Sequence, residues 1–166
     1  MKSIVLNSVL DSKIQYVDSA FPVANDQEVV VKIEAAALNH RDEWSRKGLY
    51  PNLKDGVILG SDGAGIVDSV GSEHYANWIG KEVIINPAIN WGSSQIAQSK
   101  NFEILGMPRN GTFAEYVAVP ADRIHLKPTH LNREEAAALP LAGLTAYRAL
   151  VYQGQIKAGE KVLVTG

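Results

Sequence analysis

Short apolar runs rich in β-branched residues follow one another along most of the chain. The longest covers residues 28–37, where a β-branched run passes into alternating polar and apolar positions, as in a strand with one buried face. Shorter runs, each bounded by turn residues, predict further strands at 4–6, 14–17, 81–86 and 112–120. The pattern therefore predicts a mainly β body.

Helical spacing replaces the strand pattern at two places. Residues 39–47 are predicted to be helical, and Gly48 suits the position after the last turn. Further along, Asn132 and the glutamate three residues later form a capping box before a helix predicted over 133–139. A second helix is predicted over about 141–152. Strands first and helices last indicate a barrel-like β body followed by an α/β unit.

The final residues carry a separate signal. Residues 160–166 form a short β-branched run that ends in glycine, as does the first strand of a dinucleotide-binding βαβ unit. A glycine-rich phosphate loop and its helix are expected after such a strand. From these residues alone, an ordinary edge strand at a natural terminus explains the run equally well.

Composition narrows the classes of function. The chain has 166 residues, of which 46% are hydrophobic and 20% are charged, and its net charge is −2. These values describe a globular domain with a sizeable core. Basic residues are scattered, which argues against binding to nucleic acid or to an anionic membrane. No run approaches the roughly 20 apolar residues of a transmembrane helix, and the first residues lack the apolar core of a signal peptide.

Cysteine is absent from the chain. Disulfides, thiol catalysis and thiolate metal sites are therefore excluded. Because a reducing compartment is compatible with this composition, we expect a cytoplasmic protein.

Four segments, in this order and spacing, carry a resemblance to a known family. They are residues 36–44 with 48–51 (AALNHRDEW and GLYP), residues 59–67 (LGSDGAGIV), residues 111–116 (GTFAEY) and residues 136–147 (AAALPLAGLTAY). The set resembles the medium-chain dehydrogenase/reductase superfamily, which includes zinc alcohol dehydrogenases, quinone oxidoreductases and enoyl reductases. The resemblance covers essentially the whole chain.

The resemblance implies a domain organisation. A GroES-like catalytic domain, a partly open β-barrel, is expected over residues 1–125. Residues 126–166 are then the helical connection and the first strand of a truncated Rossmann domain. That domain binds NADPH or NADH in the family, with the phosphates at a helix N-terminus beyond the present residues. The family also implies a small-molecule substrate and a homodimeric parent.

The positions that hold catalytic zinc in the family are altered. Asn39 stands in place of the cysteine, and Ser61 and Asp62 stand in place of the histidine and glutamate. An amide, a hydroxyl and one carboxylate make a poor zinc site, and the adjacent His40 does not complete a typical ligand set. We therefore expect no bound zinc.

The segment that holds structural zinc in the family has the same length in this chain but lacks the zinc ligands. Residues 88–111 lack a clear period and are predicted to form an irregular, polar excursion. Where relatives have cysteines at C-x-x-C-x-x-C spacing, this chain has Trp91, Ser94 and Ala97. Trp91 is expected either to fill the space of the metal or to be an ordinary half-buried loop aromatic.

Hydride transfer without zinc requires hydrogen bonds that polarise the substrate oxygen. The candidate donors are the Tyr50 phenol, the Asn39 amide and the Ser61 hydroxyl. Tyr50 matches a tyrosine that enoyl reductases of the family use near the substrate, and its alternative is a loop tyrosine before proline. Asn39 suits a helix N-cap as well, and the two roles are compatible.

The remaining candidates orient neighbours or bind cofactor. Asp42 is expected to orient a neighbouring side chain, His40 or Arg41, or to favour the start of a helix through its charge. Asp62 lies in a glycine-rich segment and is expected to fix a turn near the substrate. Thr145 matches a family residue close to the nicotinamide, with helix packing as its alternative. Gly166 matches the first glycine of the cofactor fingerprint.

These features together predict the catalytic-domain portion of a zinc-independent, NAD(P)H-dependent oxidoreductase that transfers hydride to a quinone, an enone or a carbonyl compound. Two alternatives stay open at this point. One is a zinc-dependent alcohol dehydrogenase with atypical ligands, and the other is a non-enzymatic GroES-like binding module. Without a cofactor domain, the chain by itself is expected to be inactive.

Overall fold

The computed structural model describes residues 1–165. Its main element is a five-stranded antiparallel sheet with the strand order β8-β3-β4-β5-β9. The strands are β1 (Lys2–Leu6), β2 (Ile14–Asp18), β3 (Glu28–Ala37), β4 (Asp62–Val70), β5 (Glu82–Ile85), β6 (Ala88–Ile89), β7 (Glu103–Ile104), β8 (Tyr116–Pro120) and β9 (Ile124–Leu126). The α-helices are α1 (His40–Arg46), α2 (Arg133–Ala137) and α3 (Pro140–Tyr147). The mainly β prediction is confirmed.

The core lies against one face of this sheet. Each of the five strands contributes buried apolar side chains to a single cluster, among them Val29, Val67, Val83, Val119 and Ile124. β-Branched residues suit these positions because they fill a pleated, buried surface with stiff side chains. Burial of one such side chain contributes about 1.5–3 kcal/mol, so the cluster is the main source of stability for the sheet.

The first hairpin closes part of the barrel. β1 pairs with β2, and its other edge contacts the segments before β4 and before β8. The Ile4 N–H donates to the Phe113 carbonyl over 2.8 Å, and the Leu6 N–H donates to the Val57 carbonyl over 3.0 Å. These bonds satisfy the outer edge of β1 and attach both segments to the hairpin.

The excursion predicted between residues 88 and 111 is mostly irregular. Its regular structure is the pairing of β6 with β7, strands of two residues each. The segment between these strands and the turn after β7 are referred to below as the lobe, residues 88–111. The lobe lies next to α3, and residues of both line one cavity.

Of the two predicted C-terminal helices, the first is shorter than predicted and the second covers the predicted range. α2 ends at Ala137, two residues before the predicted end, and its Ala136 and Ala137 pack against Ala64 of β4. α3 covers residues 140–147 and continues as a π-helical turn over Arg148–Gln153. Within residues 1–165, no helix is both long and apolar enough to span a membrane.

The strand predicted after Glu160 is not formed in the described residues. Residues 161–165 are irregular, and Leu163 and Val164 are 87% and 85% exposed. The physical reason is that a strand is stabilised by a hydrogen-bonded neighbour, and residues 161–165 have none among residues 1–165. Gly166, predicted to bind cofactor, lies outside the described residues.

Candidate functional site

The site is built where β3 ends and β4 begins. The register of these antiparallel strands places Ala37 opposite Asp62. Asn39 follows two residues after Ala37, so its side chain reaches the first residue of β4. The Asn39 Nδ2 donates to Asp62 Oδ2 over 3.0 Å. Strand pairing therefore brings together two residues that are 23 positions apart in the chain.

Asn39 also begins helix α1, as predicted. Its backbone is extended, and its N–H donates to Asp42 Oδ2 over 2.8 Å. A carboxylate in the first turn satisfies a donor that the helix cannot satisfy itself, and it complements the helix dipole. Asp42 is therefore fixed by Asn39. His40 is exposed at the first helical position and makes no hydrogen bond from its ring to residues 1–165.

Asp62 connects the barrel with helix α3. Its Oδ1 accepts a hydrogen bond from the Leu141 N–H over 2.9 Å, while its Oδ2 accepts from Asn39. These bonds join segments 23 and 79 residues away from Asp62, whereas the prediction gave Asp62 a local part in a turn. Thr145 lies one turn further along α3, is exposed, and donates its hydroxyl proton to the Leu141 carbonyl over 2.7 Å.

A buried arginine, which the sequence indicated only as a neighbour of Asp42, connects three segments at the base of the site. Arg41 is 8% exposed. Its Nη1 donates to Ser61 Oγ over 2.5 Å and to the Leu105 carbonyl over 2.7 Å. Its Nη2 donates to the Met107 carbonyl over 3.0 Å. One guanidinium therefore joins helix α1, the start of β4 and the lobe through charge-assisted hydrogen bonds.

Ser61 belongs to this internal network. It is fully buried, and its hydroxyl donates to the Leu105 carbonyl over 2.7 Å while accepting from Arg41. A hydroxyl can donate one hydrogen bond, and here the acceptor is the Leu105 carbonyl oxygen. The structure therefore places Ser61 as a link between Arg41 and the lobe, which differs from its predicted part as a donor to substrate.

Tyr50 lies on the same guanidinium. The Arg41 Cζ is 5.0 Å from the centroid of the Tyr50 ring, a cation–π contact. The ring is half-buried, and its hydroxyl makes no hydrogen bond to residues 1–165. The contact restricts the ring while the phenol keeps its donor for a ligand.

Burial sets the electrostatics of the two carboxylates. Desolvation raises the pKa of Asp42 and of Asp62 above the ordinary value of 3.8, and the nearby Arg41 charge opposes both rises. The charge of Asp42 adds to the rise at Asp62, so the two groups are electrostatically coupled. Among residues 1–165, neither Asp42 Oδ1 nor Arg41 Nε has a hydrogen-bond partner. The site is therefore a tightly packed charge cluster with two unused polar atoms.

Glycines allow the lobe to approach this cluster. A Cβ placed on Gly111 would lie 1.9 Å from the Gly60 carbonyl oxygen, and one on Gly106 would lie 2.8 Å from the same atom. Gly106 has a φ of +87°, a conformation that side chains disfavour. Because the backbones touch here, the carbonyls of Leu105 and Met107 can reach Arg41.

The donor set at the family's zinc positions does not fit a zinc ion. The Asn39 amide nitrogen donates a hydrogen bond to the Asp62 carboxylate, and the Ser61 oxygen accepts one from Arg41. Zinc prefers thiolate, imidazole and carboxylate ligands, and a cation in its place would meet the guanidinium of Arg41. Within residues 1–165, no three His, Cys, Asp or Glu side chains are grouped as metal ligands would be.

The lobe is closed by hydrogen bonds and stacking. The Trp91 Nε1 donates to the Ser94 carbonyl over 2.9 Å, and the Ser99 N–H donates to the Trp91 carbonyl over 2.7 Å. The Trp91 ring meets Phe102 edge to face, with centroids 5.2 Å apart. Trp91 is half-buried and packs against Phe102 of the lobe, which is compatible with both of its predicted roles.

The predicted residues thus fall into two groups. The structure joins the following through direct contacts: Asn39, Asp42, Tyr50, Ser61 and Asp62, with Thr145 one helical turn away. It leaves His40 outside this network. Sequence reasoning named Arg41 only as a neighbour of Asp42 and missed its burial and its hydrogen bonds to the lobe.

Comparisons with known proteins agree with this architecture. A model of the alcohol dehydrogenase GroES-like domain matches residues 25–129. The zinc-type alcohol dehydrogenase-like protein YogA of Leptosphaeria maculans is 39% identical over 155 residues, which are 87% of this chain and 43% of that protein. The quinone oxidoreductase of Homo sapiens is 30% identical over 152 residues, which are 90% of this chain and 40% of that protein.

A solved structure of an NAD-dependent alcohol dehydrogenase is also similar, with a TM-score of 0.86 and 38% identity. The match covers 96% of this chain and 49% of that one. The chain therefore spans less than half the length of each of these relatives, and the predicted GroES-like fold is confirmed. On these matches, the chain belongs to the alcohol dehydrogenase GroES-like domain family, the N-terminal part of the medium-chain dehydrogenase/reductase superfamily.

Proposed function

We propose that this chain is the catalytic-domain portion of a NAD(P)H-dependent oxidoreductase that transfers hydride to a quinone, an enone or a carbonyl compound without zinc. One observation carries the proposal. At the positions that hold zinc in relatives, Asn39 and Asp62 bond to each other and the Arg41 guanidinium holds Ser61. The Arg41 guanidinium therefore holds the site residues in place, as a zinc ion does elsewhere in the family.

The relatives support the nicotinamide part of the proposal. They include NAD-dependent alcohol dehydrogenases and quinone oxidoreductases. The substrate class is our inference, since the chain spans less than half of these proteins.

Two groups of the site are suited to polarise a substrate oxygen. The Asn39 amide has two N–H bonds, of which one is donated to Asp62 and the other is left for a ligand. The Tyr50 hydroxyl is the second donor, and a phenol can also pass its proton to an oxygen that gains negative charge. Neither group needs to reorganise, because Asp62 fixes the amide and Arg41 fixes the ring.

The remaining residues would position these two donors. Asp42 holds the Asn39 backbone, and Ser61 holds the Arg41 guanidinium against the lobe. Thr145 is exposed, and its oxygen keeps lone pairs that can accept an N–H of a carboxamide. When bound, a nicotinamide ring supplies the hydride, and the protein supplies orientation and electrostatics.

The proposal is tested with Tyr50→Phe in the enzyme as its host produces it. We expect kcat for NADPH-dependent reduction of 1,4-naphthoquinone to fall by about 10²-fold, the usual contribution of a positioned acid, with little change in KM. Tyr16→Phe is the matched control, because Tyr16 lies on β2 and is 69% exposed. Equal rates for the two variants would refute the assignment of Tyr50.

A further inference from the structure

Asn110 and Gly111 form the only Asn-Gly pair in the chain. Asparagine is a thermolabile residue, because the backbone nitrogen of the next residue can attack its side-chain amide carbon. A glycine in that next position has no side chain to hinder the attack. The Asn110 side chain is also exposed. Sequence chemistry and exposure together therefore predict spontaneous deamidation at Asn110.

The reaction has two steps. The Gly111 nitrogen loses its proton and forms a bond to the Asn110 Cγ, and the side-chain amide leaves as ammonia. Water then opens the resulting succinimide. Attack of water at Cγ gives an ordinary aspartate, whereas attack at the backbone carbonyl carbon gives an isoaspartate, in which the backbone runs through Cβ and Cγ of residue 110.

In the folded chain both reacting groups are bonded to Ile58. The Gly111 N–H donates to the Ile58 carbonyl over 2.8 Å, and the Asn110 Oδ1 accepts from the Ile58 N–H over 3.1 Å. Ile58 is buried, so little water competes for these bonds. The attacking nitrogen must lose the proton that it donates, and the amide carbon must turn towards that nitrogen. The reaction therefore requires both bonds to open.

The next residue, Thr112, anchors the same segment. Its N–H donates to the Gly60 carbonyl over 3.0 Å, and its hydroxyl donates to the Asp62 carbonyl over 2.7 Å. Thr112 is 1% exposed, whereas the side chain of Asn110 is at the surface. The reactive amide is thus accessible to water, and the attacking nitrogen belongs to a segment that is bonded to the start of β4.

The two products differ in how they fit the folded structure. A single carbon added to Gly111 would lie 1.9 Å from the Gly60 carbonyl oxygen, so the Gly111 backbone has no room to move towards Gly60. An isoaspartate adds one backbone atom directly before Gly111 and displaces it by about 1.5 Å, the length of one bond. An ordinary aspartate keeps the backbone unchanged, and its carboxylate can still accept from the Ile58 N–H.

We propose that Asn110 is a conditional deamidation site, which the bonds to Ile58 protect in the folded chain and which reacts when residues 110–113 open. The isoaspartate product then prevents the segment from closing again. The modification converts a transient opening beside Gly60 into a permanent loss of contacts at the base of the site. This inference goes beyond the proposed function and does not rest on it.

The test compares the chain at neutral pH in its folded state and in denaturing guanidinium chloride. Digestion with pepsin in acid and mass spectrometry measure the amide and acid forms of residue 110, and a protein isoaspartate methyltransferase measures isoaspartate. Asn110→Gln gives the background from other asparagines. We expect Asn110 to react at least about tenfold more slowly in the folded chain, since two hydrogen bonds must open first.

The dependence on opening is tested with Thr112→Val, which removes the hydroxyl bond to the Asp62 carbonyl. We expect deamidation at Asn110 to become about threefold to tenfold faster, in line with the loss of one hydrogen bond. Thr129→Val is the matched control, because Thr129 is exposed, and its rate should equal that of the unaltered chain. Should Thr112→Val unfold, guanidinium chloride below the unfolding midpoint gives the same comparison in the unaltered chain, since it promotes local opening.

Three results would overturn the proposal. The first is equal deamidation of Asn110 in the folded and denatured chains. The second is a rate in the folded state that neither Thr112→Val nor guanidinium chloride below the midpoint increases. The third is an isoaspartate form that, after removal of the denaturant, refolds with the urea midpoint of the unmodified chain. Because none of these assays contains a substrate or a nicotinamide, their results are independent of turnover.

Discussion

Replacement of Arg41 by alanine is expected to destabilise the fold severely. The change removes a guanidinium that donates to Ser61 Oγ and to the carbonyls of Leu105 and Met107 at 2.5, 2.7 and 3.0 Å. Leu105 keeps the Ser61 hydroxyl as a donor, whereas Met107 loses its side-chain partner. The variant therefore leaves a carbonyl without a partner inside a protein interior.

The magnitude follows from these separate losses. A buried carbonyl without its partner costs about 1–3 kcal/mol, and each of the other two hydrogen bonds contributes about 0.5–1.5 kcal/mol. The variant also removes the cation nearest to the buried Asp42 and Asp62, and loss of one member of a buried charge cluster typically costs about 3–5 kcal/mol. We therefore expect the free energy of unfolding to fall by at least about 3 kcal/mol.

Urea unfolding followed by circular dichroism measures this difference, provided that the slope m is unchanged. Arg46→Ala is the matched control, because it makes the same replacement in the same helix at a partly exposed ion pair with Glu43. Arg41→Lys keeps the charge and part of the hydrogen bonding, so its loss should be intermediate. Similar urea midpoints for Arg41→Ala and Arg46→Ala would refute the claim that the hydrogen bonds of Arg41 stabilise the fold.

Two further predictions concern packing and charge. Gly111→Ala should destabilise the fold by about 1–3 kcal/mol, because its Cβ would lie 1.9 Å from the Gly60 carbonyl oxygen. The control is Gly143→Ala in α3, whose Cβ has its nearest contact at 3.3 Å, and equal urea midpoints for the two variants would contradict the close approach. NMR titration of the side-chain carboxyl carbons should give Asp42 and Asp62 midpoints above 3.8. The folded state then binds these protons more tightly than the unfolded state, so their ionisation lowers stability as the pH rises from 3.8 through the folded pKa. Midpoints equal to 3.8 would remove this dependence, and midpoints below 3.8 would reverse its sign.

Local patterns predicted much of the frame of the site. The strand at 28–37, the helix start at Asn39 and the capping box at Asn132 are found where spacing and residue type placed them. These features depend on neighbours within a few positions, which the sequence displays directly.

The long-range part of the site was not predictable in the same way. The bond from Leu141 to Asp62 and those from Arg41 to the lobe join residues 64 to 79 positions apart. Burial of Arg41 depends on Gly106 and Gly111, which let the lobe approach the backbone at Gly60. No local sequence pattern predicts which backbone segments will be in contact. The strand predicted after residue 160 is not formed in residues 161–165 for a related reason. A strand is stabilised by hydrogen bonds to a neighbouring strand, and the residues of the strand itself do not show whether that neighbour is present.

The central claim is that this site works without zinc, and metal content measured together with turnover tests it most directly. The enzyme, purified as its host produces it, is treated with 1,10-phenanthroline, its zinc is measured by mass spectrometry, and NADPH-dependent reduction of 1,4-naphthoquinone is followed at each stage. The account predicts substoichiometric zinc and unchanged kcat after chelation. Stoichiometric zinc, with activity that falls as the metal is removed and returns on its addition, would contradict it.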